Sequence, residues 1–161
     1  MTMQVGATLP EATLMEVGTD GAEAVRSPDY FRGRRVALFA VPGAFTPTCS
    51  AKHLPGFVER ADELRAKGID EIACTAVNDA FVMGAWGKAS GVDGKVTLLA
   101  DGSGEFARAL GLELDASKFG MGTRSQRYAM IVNDGVIERL DVEAGGEFRV
   151  SSADYMLEQL A

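Results

Sequence analysis

Three short apolar runs constrain this chain more than any other feature: "VALFAV" from Val36 to Val41, "IACTAV" from Ile72 to Val77 and "VTLLA" from Val96 to Ala100. A strand with one face in water alternates apolar and polar residues. These runs do not alternate, so each reads as a strand covered on both faces.

Helix-patterned segments separate them. From Cys49 to Lys67, "CSAKHLPGFVERADELRAK" puts Leu54, Phe57, Val58, Ala61 and Leu64 at helical spacing, with Gly68 as terminator. This predicts one helix bent at Pro55, because an interior proline lacks the amide hydrogen and crowds the preceding turn. "NDAFVMGAWGKA" reads as a second helix capped by Asn78 or Asp79, and "GSGEFARALGL" as a short third one ended near Gly111. "RYAMIVNDGVIERLDVE" changes character: two strand-like runs meet around Asn133, Asp134 and Gly135, a strong hairpin signal. "SSADYMLEQL" closes the chain as a serine-capped helix, and "EATLMEV" near the front reads as an edge strand or hairpin. Strand, helix, strand, helix, strand, hairpin, helix implies an α/β fold with a central mixed β-sheet flanked by α-helices.

At 161 residues, one domain spanning 1–161 is expected. Sixteen Lys and Arg against 23 Asp and Glu leave a net charge of -7, which opposes nonspecific binding to a phosphate backbone, so no nucleic-acid partner is expected. No apolar run approaches the length of a membrane span, so no membrane is expected either. The opening "MTMQVGATLPEATLMEV" lacks a basic stretch followed by an apolar one, which makes a reducing cytoplasm the expected location. Two cysteines, one histidine and no Cys-x-x-Cys offer neither a disulfide scaffold nor a familiar zinc spacing, and no metal is expected.

The chemistry concentrates in "VPGAFTPTCS", Val41–Ser50, at the carboxyl end of the first buried strand, where open α/β sheets bind ligands. Cys49 stands at a helix start, whose unpaired backbone amides favour a thiolate, the nucleophilic form. Thr46 lies three residues earlier, its hydroxyl able to orient a substrate oxygen, while Pro42 and Pro47 restrict the turn that holds both. A small buried cysteine at a strand-to-helix junction, with Thr46 as an ordinary cap, is the plainer alternative. Cys74, inside "EIACTAV", reads as core packing, with a disulfide to Cys49 the other possibility. Arg127, at the start of "RYAMIV", could bring a guanidinium to Cys49, as could Arg124 from the preceding loop; a surface ion pair is the alternative for either. His53 shares a helix face with Cys49, which suits a Cys-His pair or a hydrogen-bonded support beside it.

Together "VPGAFTPTCS", "HLPGFV", "VNDAFVMGAW", "LLAD" and "RYAMIVNDGVI" resemble the peroxiredoxins of the atypical peroxiredoxin-5 type, which include the plant type II and bacterial glutaredoxin-linked enzymes. The resemblance covers nearly the whole chain. It implies a thioredoxin-like fold and reduction of hydrogen peroxide and organic hydroperoxides by a peroxidatic cysteine at Cys49. The family's threonine falls on Thr46, its proline on Pro42, its distant arginine on Arg127, and an early histidine in a supporting role on His53. Arg124 is adjacent to the arginine match. A homodimer is also implied, with Phe45, Phe81 and Trp86 as candidate contacts, and no bound cofactor is expected.

One departure bears on the catalytic cycle. Some animal members resolve the oxidised cysteine with a third one just before the final helix, where this chain has Ser151 and Ser152. Cys74 matches a second family cysteine that is not usually the principal resolving thiol. The expected reductant is therefore external, glutathione with glutaredoxin ahead of thioredoxin. Of a different class is a noncatalytic thioredoxin-like module that binds a protein partner through its acidic surface.

Overall fold

The computed structural model describes residues 2–18, 21–92 and 94–160. Its centre is a seven-stranded sheet. In chain order the strands are β1 (Thr13–Gly18), β2 (Gly21–Arg26), β3 (Arg35–Ala40), β4 (Glu71–Ala76), β5 (Thr97–Ala100), β8 (Tyr128–Asn133) and β9 (Val136–Val142). Between them, β6 (Glu113–Asp115) and β7 (Thr123–Ser125) form a separate two-stranded ribbon that the sequence pattern does not announce. The helices are α1 (Ser27–Phe31), α2 (Leu54–Glu59), α3 (Ala61–Ala66), α4 (Ala80–Ser90), α5 (Glu105–Leu110) and α6 (Ala153–Leu160).

Across the sheet the strands run β2, β1, β5, β4, β3, β8, β9. The three apolar runs are the parallel centre, β3 on β4 and β4 on β5, and the hairpins flank them antiparallel. Successive side chains point to opposite faces. Ala37, Phe39 and Cys74 therefore join α2, α3, α4 and α6 in one apolar cluster, while Val36, Leu38 and Ala73 join α1 and α5 in the other. The mixed sheet with helices on both faces agrees with the sequence reading.

Local signals behave as their chemistry dictates. Asp79 rather than Asn78 caps α4, its carboxylate accepting from Val82 N at 2.9 Å. Ser152 caps α6, accepting from Tyr155 N at 3.0 Å. Asp134 and Gly135 take the positive φ angles, 48° and 80°, that a tight two-residue hairpin turn requires.

The single bent helix expected over 49–67 is corrected. The backbone turns helical at Pro47, widens into a π-helical turn over Cys49–His53, continues as α2, breaks at Arg60 and resumes as α3. The interruption falls at Arg60 (φ -96°, ψ 9°), not at Pro55. Pro55 is accommodated because the wide turn, closed by Leu54 N–H donating to Cys49 O, puts it in the first turn of α2, where a missing N–H costs little.

Candidate active site

After β3 the chain passes through Val41 and Pro42 into the turn that delivers Cys49. The end of β4 and the loop that follows it pin this turn. Val41 N donates to Thr75 O at 3.1 Å, and Ala44 N donates to the side-chain oxygen of Asn78 at 2.9 Å. Gly43 is tightly enclosed: a Cβ there would lie 3.1 Å from Met121, 3.2 Å from the Thr46 methyl and 3.3 Å from an Arg124 nitrogen, so these side chains would have to shift. Phe45 adopts φ 63°, a left-handed conformation costly for a bulky residue, and leaves its ring 54% exposed at the rim. Thr46 Oγ1 donates to Gly43 O at 2.6 Å, which orients the hydroxyl and leaves its remaining lone pairs able to accept. Thr46 O in turn accepts from Ser50 N at 2.9 Å, closing the first turn around Cys49.

Arg127 arrives from the start of β8. Nη2 donates to Cys49 Sγ at 3.0 Å, and Nη1 reaches His53 Nδ1 at 2.7 Å. A guanidinium can only donate, so Nδ1 must be the bare nitrogen of the imidazole. Nε2 then carries the hydrogen and donates to Ser151 O at 2.8 Å. Burial, with the Arg127 charge behind it, pushes the His53 pKa down to about 3, so the ring is neutral at physiological pH. Among the described residues no carboxylate pairs with Arg127, and its charge faces the sulfur. Phe148 borders the same group, 5.8 Å from the guanidinium carbon and 4.9 Å from the His53 ring centre.

His53 is therefore not paired with Cys49; it buttresses the arginine. Arg124 lies on β7 and donates to Met121 O at 2.9 Å and Val77 O at 3.2 Å, bracing the flank of the turn rather than the thiol. Cys74 is fully buried on β4 opposite Phe39 and Leu98, on the same side of the sheet as Cys49, and both thiols are free. Burial pushes the Cys74 thiol well up, with the neighbouring Cys49 adding to the effect. Trp86, expected as a candidate contact between subunits, is corrected: it is fully buried in α4 and donates through Nε1 to Ser50 Oγ at 2.9 Å. Phe81 on the same helix is 89% exposed. Sequence reasoning did not assign roles to Ser151 and Phe148, because a carbonyl acceptor and a rim aromatic ring carry no motif.

This arrangement can hold a sulfur anion against a fixed cation, with a hydroxyl oriented at the same turn. The Redoxin family model matches residues 4–157. Chloroplastic peroxiredoxin-2E-2 of Oryza sativa is 53% identical over 99% of this chain and 73% of its own length. Peroxiredoxin-2B of Arabidopsis thaliana is 49% identical over 97% of both chains. The crystal structure of reduced Prx3 from Vibrio vulnificus in complex with hydrogen peroxide superposes with a TM-score of 0.95, at 51% identity, over 99% of this chain and 100% of that one. On the sequence, the fold and the geometry at Cys49 together, the chain belongs to the Redoxin family, among the type II, peroxiredoxin-5-like peroxiredoxins, which are thiol peroxidases.

Proposed function

We propose that Cys49 is the peroxide-reacting thiol and that an external thiol, glutathione with glutaredoxin, returns it to service. The observation that carries this reading is the Arg127 fork, which joins Cys49 Sγ and His53 Nδ1 at 3.0 and 2.7 Å. The Cys49 thiolate attacks one peroxide oxygen, the O–O bond breaks, and sulfenic acid forms as an alkoxide or hydroxide departs and takes up a proton. Thr46 Oγ accepts from the peroxide hydroxyl, and Arg127 opposes the charge developing on the oxygens. The hydrogen peroxide bound in the Vibrio vulnificus relative supports this substrate class. The rims formed by Phe45 and Phe148 favour organic hydroperoxides as well.

Glutathione then displaces water from the sulfenic acid to give a mixed disulfide, and glutaredoxin removes the glutathione by thiol exchange. Two features support an external reductant. Cys74 is fully buried with its thiol held protonated, which makes it a poor attacking group, and the residues before α6 are Ser151 and Ser152. Thioredoxin with Cys74 as resolving thiol is the rival. Pairing of two copies through exposed aromatic rings and a cytoplasmic location complete the reading, with no bound cofactor.

Stopped-flow oxidation followed by intact mass tests it. Cys49→Ser loses oxidation by peroxide, Cys74→Ser keeps most of it, and Arg127→Ala and Thr46→Val lower the second-order rate constant about 10²-fold. A nonreducing peptide map after one equivalent of peroxide and glutathione shows a glutathione adduct on Cys49. A Cys49–Cys74 bond formed as fast as turnover would instead make thioredoxin the reductant.

A further inference from the structure

Glu143, just beyond β9, has no part in the chemistry above, yet it is one of the few buried charged residues, 8% exposed. Its carboxylate gathers three consecutive residues. Arg149 N donates to Oε1 at 2.9 Å and Oε2 at 2.8 Å, Val150 N and Ser151 N each donate to Oε2 at 2.8 Å, and Ser151 Oγ donates to Oε2 at 2.6 Å. Its own backbone amide donates to Arg127 O at 3.0 Å. One residue thus ties the strap that carries Ser151 to the backbone of the arginine beside Cys49.

From Ser151 the chain of contacts runs inward: Ser151 O accepts from His53 Nε2, His53 Nδ1 accepts from Arg127 Nη1, and Arg127 Nη2 donates to Cys49 Sγ. Each member can hold only one role. Four donors converge on Oε2, which an ionised carboxylate oxygen accepts best; a carboxamide with its oxygen there is a weaker acceptor and sets its own N–H group against the Arg149 amide N–H. Phe148, packed on Arg127 and His53, lies within the same segment that Glu143 closes.

We propose that Glu143 is a positioning residue for the reacting thiol: by clamping residues 149–151 it holds Ser151 O on His53, fixes one histidine tautomer and so keeps the Arg127 fork on Cys49. This rests on the reading of Cys49 as the peroxide-reacting group. Burial favours the protonated acid, but the Ser151 hydroxyl and the three amides outweigh it and hold Glu143 below the usual carboxylate range, so the clamp is closed at neutral pH. The titratable and charged groups facing His53 are Arg127 and, through Ser151, Glu143, with Cys49 beyond the arginine; Phe39, Phe57 and Phe148 supply the apolar walls.

His53 is the chain's only histidine, which permits a readout that needs no peroxide. In 15N-labelled wild type, the imidazole shows a protonated Nε2 and a bare Nδ1 that persist from about pH 8 to about pH 5. In Glu143→Gln, both signals move toward tautomer averaging and begin to titrate in that range. The rate of Cys49 oxidation falls about 10-fold to 100-fold, as for small misplacements of reacting groups. Glu143→Asp restores part of both. Ser151→Ala removes one donor while keeping the carbonyl, so it shows smaller shifts in a fully folded protein even where Glu143→Gln folds poorly. Unchanged imidazole signals in folded Glu143→Gln and in Ser151→Ala would overturn the clamp, as would a lost rate with an unmoved imidazole. Wild type whose Cys49 ignored peroxide would overturn the reading of the thiol instead, and the imidazole signals would still decide the clamp.

Discussion

His53 sits with no exposed surface against the stacked rings of Phe39, 4.8 Å away, and Phe57, 5.8 Å away, and both of its nitrogens are engaged. A proton has no place to go there. With the native pKa near 3 and an ordinary value of 6.5, the unfolded chain binds more protons than the native one throughout that interval. The stability this residue contributes is complete above pH 6.5 and is lost progressively as pH falls toward 3. Between pH 7 and about pH 5, wild type should lose about 2 kcal/mol of unfolding free energy, read as a drop in urea midpoint, before most carboxylates begin to titrate. His53→Gln should show a nearly flat midpoint over the same range. Equal slopes for the two proteins would mean that His53 titrates in the fold as it does in water. The i to i+4 spacing from Cys49 marked His53 for attention, but its task was hidden: its partners, Arg127 and Ser151, lie 74 and 98 residues away in the chain.

The π-helical turn over Cys49–His53 is the element on which the site depends, and Trp86 is its built-in reporter. As the chain's only tryptophan, hydrogen-bonded to the residue after Cys49, it senses any rearrangement of that turn. One equivalent of peroxide should therefore change its emission with the same time course as Cys49 oxidation followed by mass, and Cys49→Ser should show no change. Unaltered emission in fully oxidised protein would establish that the turn stays in place through the reaction. The buried strands were legible because non-alternating apolar runs have one stable placement, between two layers of helices. The hairpin at Asp134 and Gly135 was legible for a similarly local reason. The widened turn was not. Its five residues, Cys-Ser-Ala-Lys-His, carry no signal that separates a π-helical turn from an α-helical one, and the extra residue is accommodated by Pro55 at one end and by hydrogen bonds from Arg127 and Trp86, distant in the chain. The β6 and β7 ribbon escaped notice because three-residue strands carry too little periodicity to separate from loop.

At the scale of the molecule, the net charge is -7 while the site holds an arginine with no carboxylate partner among the described residues, and large apolar side chains, Phe45, Phe81 and Phe119 among them, stay exposed. Phe81, 89% exposed on α4 and absent from the chemistry, offers the cleanest test of pairing between copies. If two copies pair through this face, wild type should sediment as a dimer and Phe81→Asp as a monomer, with the variant's unfolding midpoint lowered by the lost association and no longer dependent on protein concentration. A wild type that remains monomeric at tens of micromolar would remove the homodimer from the functional reading. The sheet itself divides the interior. Phe39, Phe57 and Trp86 pack on the side of Cys49, whereas Phe31, Leu38 and Phe106 pack on the other. Heat tolerance and reactivity can therefore be adjusted independently. Refilling the far layer could harden the scaffold without disturbing the angle at which a peroxide meets its sulfur, which gives a protein engineer, or natural selection, one face to alter while the other keeps its chemistry.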